Sequence, residues 1–141
     1  MLFLLVTSCA TRSATTVHEA VLLDDVPAIG RLVAAGQDIN LADGAGWTAL
    51  HEAAFKGNLA AVKTLIANHA NLDLQSKNGL TALMEALSEK HEDVALELIN
   101  AGANVDLPSV SGMTSLDYAN ANECPKAGAA IKAKRQSGSG R

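Results

Sequence analysis

The chain has 141 residues, 48% hydrophobic and 18% charged, so it can bury one core and is not disordered by composition. A formal net charge of −4 at pH 7 argues against a nucleic-acid partner. Aromatics make up 3% and Cys9 and Cys124 are the only cysteines. That excludes a disulfide framework and leaves a core of Ala, Leu, Val and Ile, which suits short, closely packed helices.

The chain opens on Met1-Leu2-Phe3-Leu4-Leu5-Val6, followed by Thr7-Ser8-Cys9. Val6-Thr7-Ser8-Cys9 resembles a bacterial lipobox, with the small Ser8 just before the cut. The resemblance implies that residues 1–8 are a lipoprotein signal segment, that Cys9 is lipidated, and that residues 9–14 form a polar tether. Ala10 stands where an Asp would retain a lipoprotein in the inner membrane, so an outer-membrane lipoprotein facing the periplasm is expected. No Lys or Arg precedes the apolar run, and that run is shorter than a usual signal core of roughly 7–15 residues. The alternative is a cytoplasmic protein with an apolar N-terminus. No segment reaches the roughly 18 apolar residues of a membrane-spanning helix.

Beyond residue 14 the sequence repeats itself every 33 residues. Gly46, Gly79 and Gly112 share one position, as do Thr48, Thr81 and Thr114, and Ala53, Ala86 and Ala119. Thr15, His18 and Ala20 stand one step before Thr48, His51 and Ala53. About four copies result, at 15–45, 46–78, 79–111 and 112–136, the last one shortened, with 137–141 as a flexible tail. Each copy reads as two short helices and a turn. In the second, Thr48 is placed to N-cap a helix ending near Lys56. Gly57-Asn58 then breaks the chain, both residues tolerating left-handed backbone. A second helix over about Leu59–Asn68 carries Val62, Leu65 and Ile66 at the spacing of one buried stripe. An extended turn over Asn71–Asn78 leads to Gly79. One such unit cannot cover its own apolar face, so the copies must stack.

Gly46-Trp47-Thr48-Ala49-Leu50-His51-Glu52-Ala53-Ala54 and Gly79-Leu80-Thr81-Ala82-Leu83-Met84-Glu85-Ala86 resemble the ankyrin signature G-x-T-P-L-H-x-A-A. Asn100-Ala101-Gly102-Ala103-Asn104-Val105-Asp106 is similar to the ankyrin repeat end. The resemblance covers about residues 15–136. It implies an all-α ankyrin-repeat solenoid with turn or hairpin fingers, acting as a monomeric, non-catalytic protein-binding module. In such a stack the variable face comprises finger tips and the open side of the first helices. The tips are Ala42, Gly44, Ala45 and Trp47, then Gln75, Lys77, Asn78 and Leu80, then Val110, Ser111 and Met113. The helix positions are Phe55 and Lys56, then Ser88 and Glu89, then Ala121 and Asn122. Trp47, Leu80 and Met113 occupy one position in successive copies and are expected to form an apolar row on the concave surface, with Phe55 beside Trp47. They serve either as contact surface or as packing between adjacent turns.

The remaining chemistry-bearing residues give no catalytic constellation and no cofactor or metal site. His18-Glu19 and His51-Glu52 begin like H-E-x-x-H, but the fifth positions are Leu22 and Phe55. Their spacing of 33 explains them as one repeat position, and the ankyrin resemblance implies that these histidines bond backbone in the turns between units. His69 reads as a helix-end residue and His91 as solvent-exposed. Cys124, between the last two helices, reads as a buried thiol. Lys126, Lys132, Lys134, Arg135 and Arg141 read as a solvated helix face and tail.

Overall fold

A computed structural model describes residues 13–138. The lipobox-like segment with Cys9, and Arg141 at the other end, lie outside the described residues. Eight helices follow one another: α1 (Val17–Leu22), α2 (Val26–Ala34), α3 (Ala49–Lys56), α4 (Leu59–Ala67), α5 (Ala82–Ser88), α6 (Glu92–Asn100), α7 (Ser115–Ala121) and α8 (Pro125–Gly138). They form four antiparallel pairs in two layers. The first helices α1, α3, α5 and α7 stack in one layer, and α2, α4, α6 and α8 in the other. The described chain is thus an all-helical solenoid, as the repeat predicts.

The period is visible in the backbone. The turn between the helices of each pair passes through one left-handed residue: Asp24 at φ 58, Gly57 at φ 69, Lys90 at φ 62 and Glu123 at φ 57. A second series ends the outer helices at Gly36, His69 and Gly102, and a third closes the fingers at Gly46, Gly79 and Gly112, all with positive φ. Four of these positions carry a side chain, each at a cost of about 1–2 kcal/mol relative to right-handed backbone. Stacking outweighs that cost, so glycine is dispensable there.

Helix starts follow from local chemistry. Thr48 and Thr81 accept from the amides of His51 and Met84. Thr114 donates its amide and hydroxyl to Asp117 instead, and these two bonds hold the Asp117 carboxyl below the usual range. In the first copy the cap is Thr16, one residue later than the alignment of Thr15 with Thr48 predicts; its hydroxyl accepts from the Glu19 amide at 3.0 Å. Asp25 and Asn58 cap α2 and α4. The equivalent His91 makes no such cap. It is half-buried and lies against the Phe55 carbonyl at 3.1 Å through Nε2, which corrects the expectation of a solvated side chain. A Cβ at Gly57 would fall 2.5 Å from its ring. The glycine therefore leaves room for the next copy's histidine.

The core is a set of columns running through the stack. Ala20, Ala53, Ala86 and Ala119 are all buried, and their small side chains let the first helices approach closely. Leu65, Leu98 and Ile131 form the matching column of the second layer, each contributing about 1.5–3 kcal/mol by burial. At the C-terminal end α8 closes the array. Glu92 of α6 accepts from the amides of Lys126 and Ala127 at 2.6 and 3.0 Å. Lys134 reaches the Ala103 carbonyl, and Arg135 pairs with Asp106. The helix runs to Gly138, so Ser137 and Gly138 belong to it, which corrects the expectation of a tail from 137; residues 139–141 lie outside the described residues.

Candidate protein-binding face

Three fingers project between the helix pairs, and each closes by the same bond. The amides of Asp43, Ser76 and Ser109 donate to the carbonyls of Trp47, Leu80 and Met113 at 2.8–2.9 Å. The three row positions are therefore structurally equivalent, as their spacing implies. Neighbouring fingers are joined through Lys77 N–H to the Ala45 carbonyl at 2.9 Å and Val110 N–H to the Asn78 carbonyl at 3.0 Å. Side chains add a second ladder: Asn40 accepts from the Asn71 amide and Asp73 from the Asn104 amide. Gln75 spans from the Gly79 carbonyl to that of Pro108.

His51 ties helix and finger together. Its Nδ1 accepts from the Thr48 amide at 3.2 Å and Nε2 lies 3.0 Å from the Leu80 carbonyl. An accepting Nδ1 leaves the proton on Nε2, which donates to Leu80. Burial, first of all, holds the imidazole pKa below its ordinary value. This is the structural role expected of it. Met84 takes the position in the next copy as a fully buried side chain.

Trp47, Leu80 and Met113 are each half-buried, so each row side chain packs partly into the stack and keeps one part toward solvent. The indole of Trp47 lies over His51 at 6.2 Å and meets the edge of Phe55 at 5.5 Å, which places Phe55 where the sequence expects it. Phe55 is 41% exposed, and Leu22, its equivalent one copy earlier, 49%. The open apolar surface on the first helices thus lies in copies one and two. Farther along, the same position holds the half-buried Ser88 and the exposed Ala121. Sequence reasoning missed Leu22, although its spacing of 33 from Phe55 is legible.

The polar candidates divide. Lys77, Asn78 and Glu89 have exposed side chains and are available for contact. Lys56 is exposed, but its Nζ donates to the Leu22 carbonyl at 3.1 Å and lies 4.0 Å from Glu52. It therefore also finishes the end of α1. Glu85, on α5, is 5% exposed, and its Oε1 has no hydrogen-bond partner. Burial, and then the Glu89 charge, push its carboxyl up to about 7. No sequence signal marked it, since its counterpart Glu52 is half-buried beside Lys56. Among the described residues no group of three or more His, Cys, Asp or Glu is placed to hold a metal ion. No described helix is long and apolar enough to cross a membrane.

Paired helices in two layers, with fingers joined edge to edge, define a helical-repeat solenoid that presents a surface rather than an enclosed site. A family model for ankyrin repeats, three copies long, matches residues 17–109 and again 52–127, and the chain belongs to the ankyrin-repeat family. Ankyrin repeats are protein-interaction modules, and the family is in general non-enzymatic. A search of curated proteins gave no match.

Proposed function

We propose that this chain is a non-catalytic module that binds a protein partner while tethered to the bacterial cell envelope by lipid on Cys9, as a monomer facing the periplasm from the outer membrane. The observation that carries the binding part is the exposure of Phe55, set against the half-buried Trp47, and of Leu22 at the same repeat position on the neighbouring first helix. Large apolar side chains grouped on a rigid face have no structural need to be there, and they supply the desolvated centre that an interface requires. Lys77, Asn78, Ser88, Glu89, Leu80 and Met113 form its surroundings. The tether rests on Val6-Thr7-Ser8-Cys9. Several acyl chains on one cysteine would hold stably, at about 0.8 kcal/mol per buried CH₂.

Two measurements test this. Cells grown with labelled fatty acid should yield labelled protein, and Cys9→Ala should abolish the label. A chain that takes up no label is the cytoplasmic adaptor or translocated effector instead. For the face, Phe55→Ala should weaken capture of a crosslinked partner by about tenfold or more while leaving the melting midpoint nearly unchanged. Retained capture by that variant would remove the face from the reading.

A further inference from the structure

An open cleft of about 410 Å³ lies at the N-terminal end of the stack, away from Phe55 and Leu22. Its lining includes the apolar Val17, Ile39, Leu41 and Ala49, the carboxylates Asp38 and Asp43, and His18. The cleft exists because the first copy departs from the others. In the second copy His51 bridges from the helix start to the finger carbonyl of Leu80. Its equivalent His18 makes neither bond, since α1 begins one residue late at the Thr16 cap. Gln37 holds the loop from the other side, accepting from the Val17 amide at 3.2 Å and donating to the Thr15 carbonyl. The His18 imidazole instead stands among the residues that line the cleft. Leu41 borders it at 65% exposure, whereas Leu74 and Leu107, one and two copies on, are half-buried.

The lining carries two carboxylates and no Lys or Arg, and Asp43 lies within electrostatic reach of His18 and His51. Asp38 accepts from the Asn40 amide, and Asp43 from the amides of Ala45 and Trp47 at 2.8 and 2.9 Å. Those bonds keep Asp43 ionised, Trp47's contributing most. Neither carboxylate forms an ion pair among the described residues, and each keeps free lone pairs. An apolar cavity edged by two fixed negative charges selects by charge as well as shape. It accepts an apolar group with a cation beside it and rejects an acidic neighbour by like-charge repulsion.

We infer that this cleft is a docking subsite for a partner segment in which a large apolar side chain is adjacent to lysine or arginine. The apolar group seats against Val17, Ile39 and Leu41, and the cation sits between Asp38 and Asp43. The inference rests on the protein-binding reading above and specifies the chemistry of one part of the partner.

Panning a random seven-residue peptide library against the full chain tests it. The expected peptides carry a large apolar residue next to Lys or Arg. In calorimetry with the selected peptide, Leu41→Asp should weaken binding by about tenfold or more, and Asp38→Asn by a few-fold that shrinks as salt is added. Leu41 is exposed, so its replacement leaves the fold intact, which a melting curve checks. Selected peptides that lack basic residues, or that bind Leu41→Asp as tightly as the parent, overturn the subsite. If Phe55→Asp abolishes their binding instead, the protein-binding reading survives while the subsite falls. A library that yields no enriched peptide counts against both. A stronger peptide affinity in the full chain carrying Leu4→Asp and Leu5→Asp would assign the cleft to the chain's own apolar leader, and would equally overturn the proposal.

Discussion

Ser115 stands where the two preceding copies have Ala49 and Ala82. Its hydroxyl is buried and has no hydrogen-bond partner. Because a dehydrated, unbonded hydroxyl is worse than a methyl, Ser115→Ala should raise stability by about 1 kcal/mol, read as a higher urea midpoint at unchanged slope. Glu85 has the larger effect and a definite sign. Its pKa is raised by folding from 4.5 to about 7, so the folded state favours the protonated form. The stability it contributes is fully present below pH 4.5 and is lost as pH rises through about 7. Glu85→Gln should remove that decline and stabilise the protein at pH 8 by on the order of 2 kcal/mol, whereas at pH 4 the two proteins should melt alike. His51 works in the opposite direction. Its pKa lies below 6.5 in the folded state, so its contribution is present above pH 6.5 and lost as pH falls through the folded value. Acid melts of His51→Gln should lack that loss.

At the scale of the element, the fingers carry the contacts that fix one copy against the next. Gly79 and Gly112 share the same left-handed backbone, but their surroundings differ. A Cβ at Gly79 would lie 2.6 Å from the Val110 nitrogen, whereas at Gly112 it would meet nothing within 4 Å. Gly112→Ala should therefore cost only the backbone strain, about 1 kcal/mol, and Gly79→Ala should cost about 2 kcal/mol more because the fingers must part. Denaturant curves of the two variants isolate the contact between fingers. The sequence revealed much at this scale, since Thr caps, Gly-Asn breaks and leucine stripes act within one copy and leave a local pattern. What it concealed belongs to neighbours. That His91 reaches back to Phe55, that α1 is capped by Thr16 and starts at Val17, and that Leu22 and Leu41 stay uncovered all depend on which copy lies alongside. The candidate face was half legible for the same reason. Spacing marked Trp47, Leu80 and Met113 as equivalent, but only packing shows that they are half-buried and that Phe55 and Leu22 both stay exposed.

For the whole molecule, stability is a chain of nearest-neighbour terms, and the two ends are finished differently. The C-terminal end is bound by Glu92 at the start of α8 and by Arg135 on Asp106. At the N-terminal end Gln37 ties α1 to the loop after α2 within the first copy, and the Lys56 and Asn58 side chains reach back to Leu22 and Asp24. Hydrogen exchange should accordingly be slowest in α4 to α6 and faster in α1 and α2 than in α7 and α8. Removing the Glu92 carboxylate leaves two amides of α8 unpaired. Glu92→Ala should speed exchange in α8 by roughly five- to tenfold, with α3 unaffected, consistent with about 1 kcal/mol for a lost cap.

Cys124 sits at the junction of α7 and α8, buried, with its Sγ 3.9 Å from the Leu87 carbonyl. Burial pushes its thiol up in pKa, so in the closed array it is both inaccessible and short of thiolate. A maleimide can alkylate it, or a disulfide reagent exchange with it, only after the terminal helix has swung away. The rate at which the sulfur is trapped is therefore a clock for how often the last unit undocks, and it needs no engineered probe.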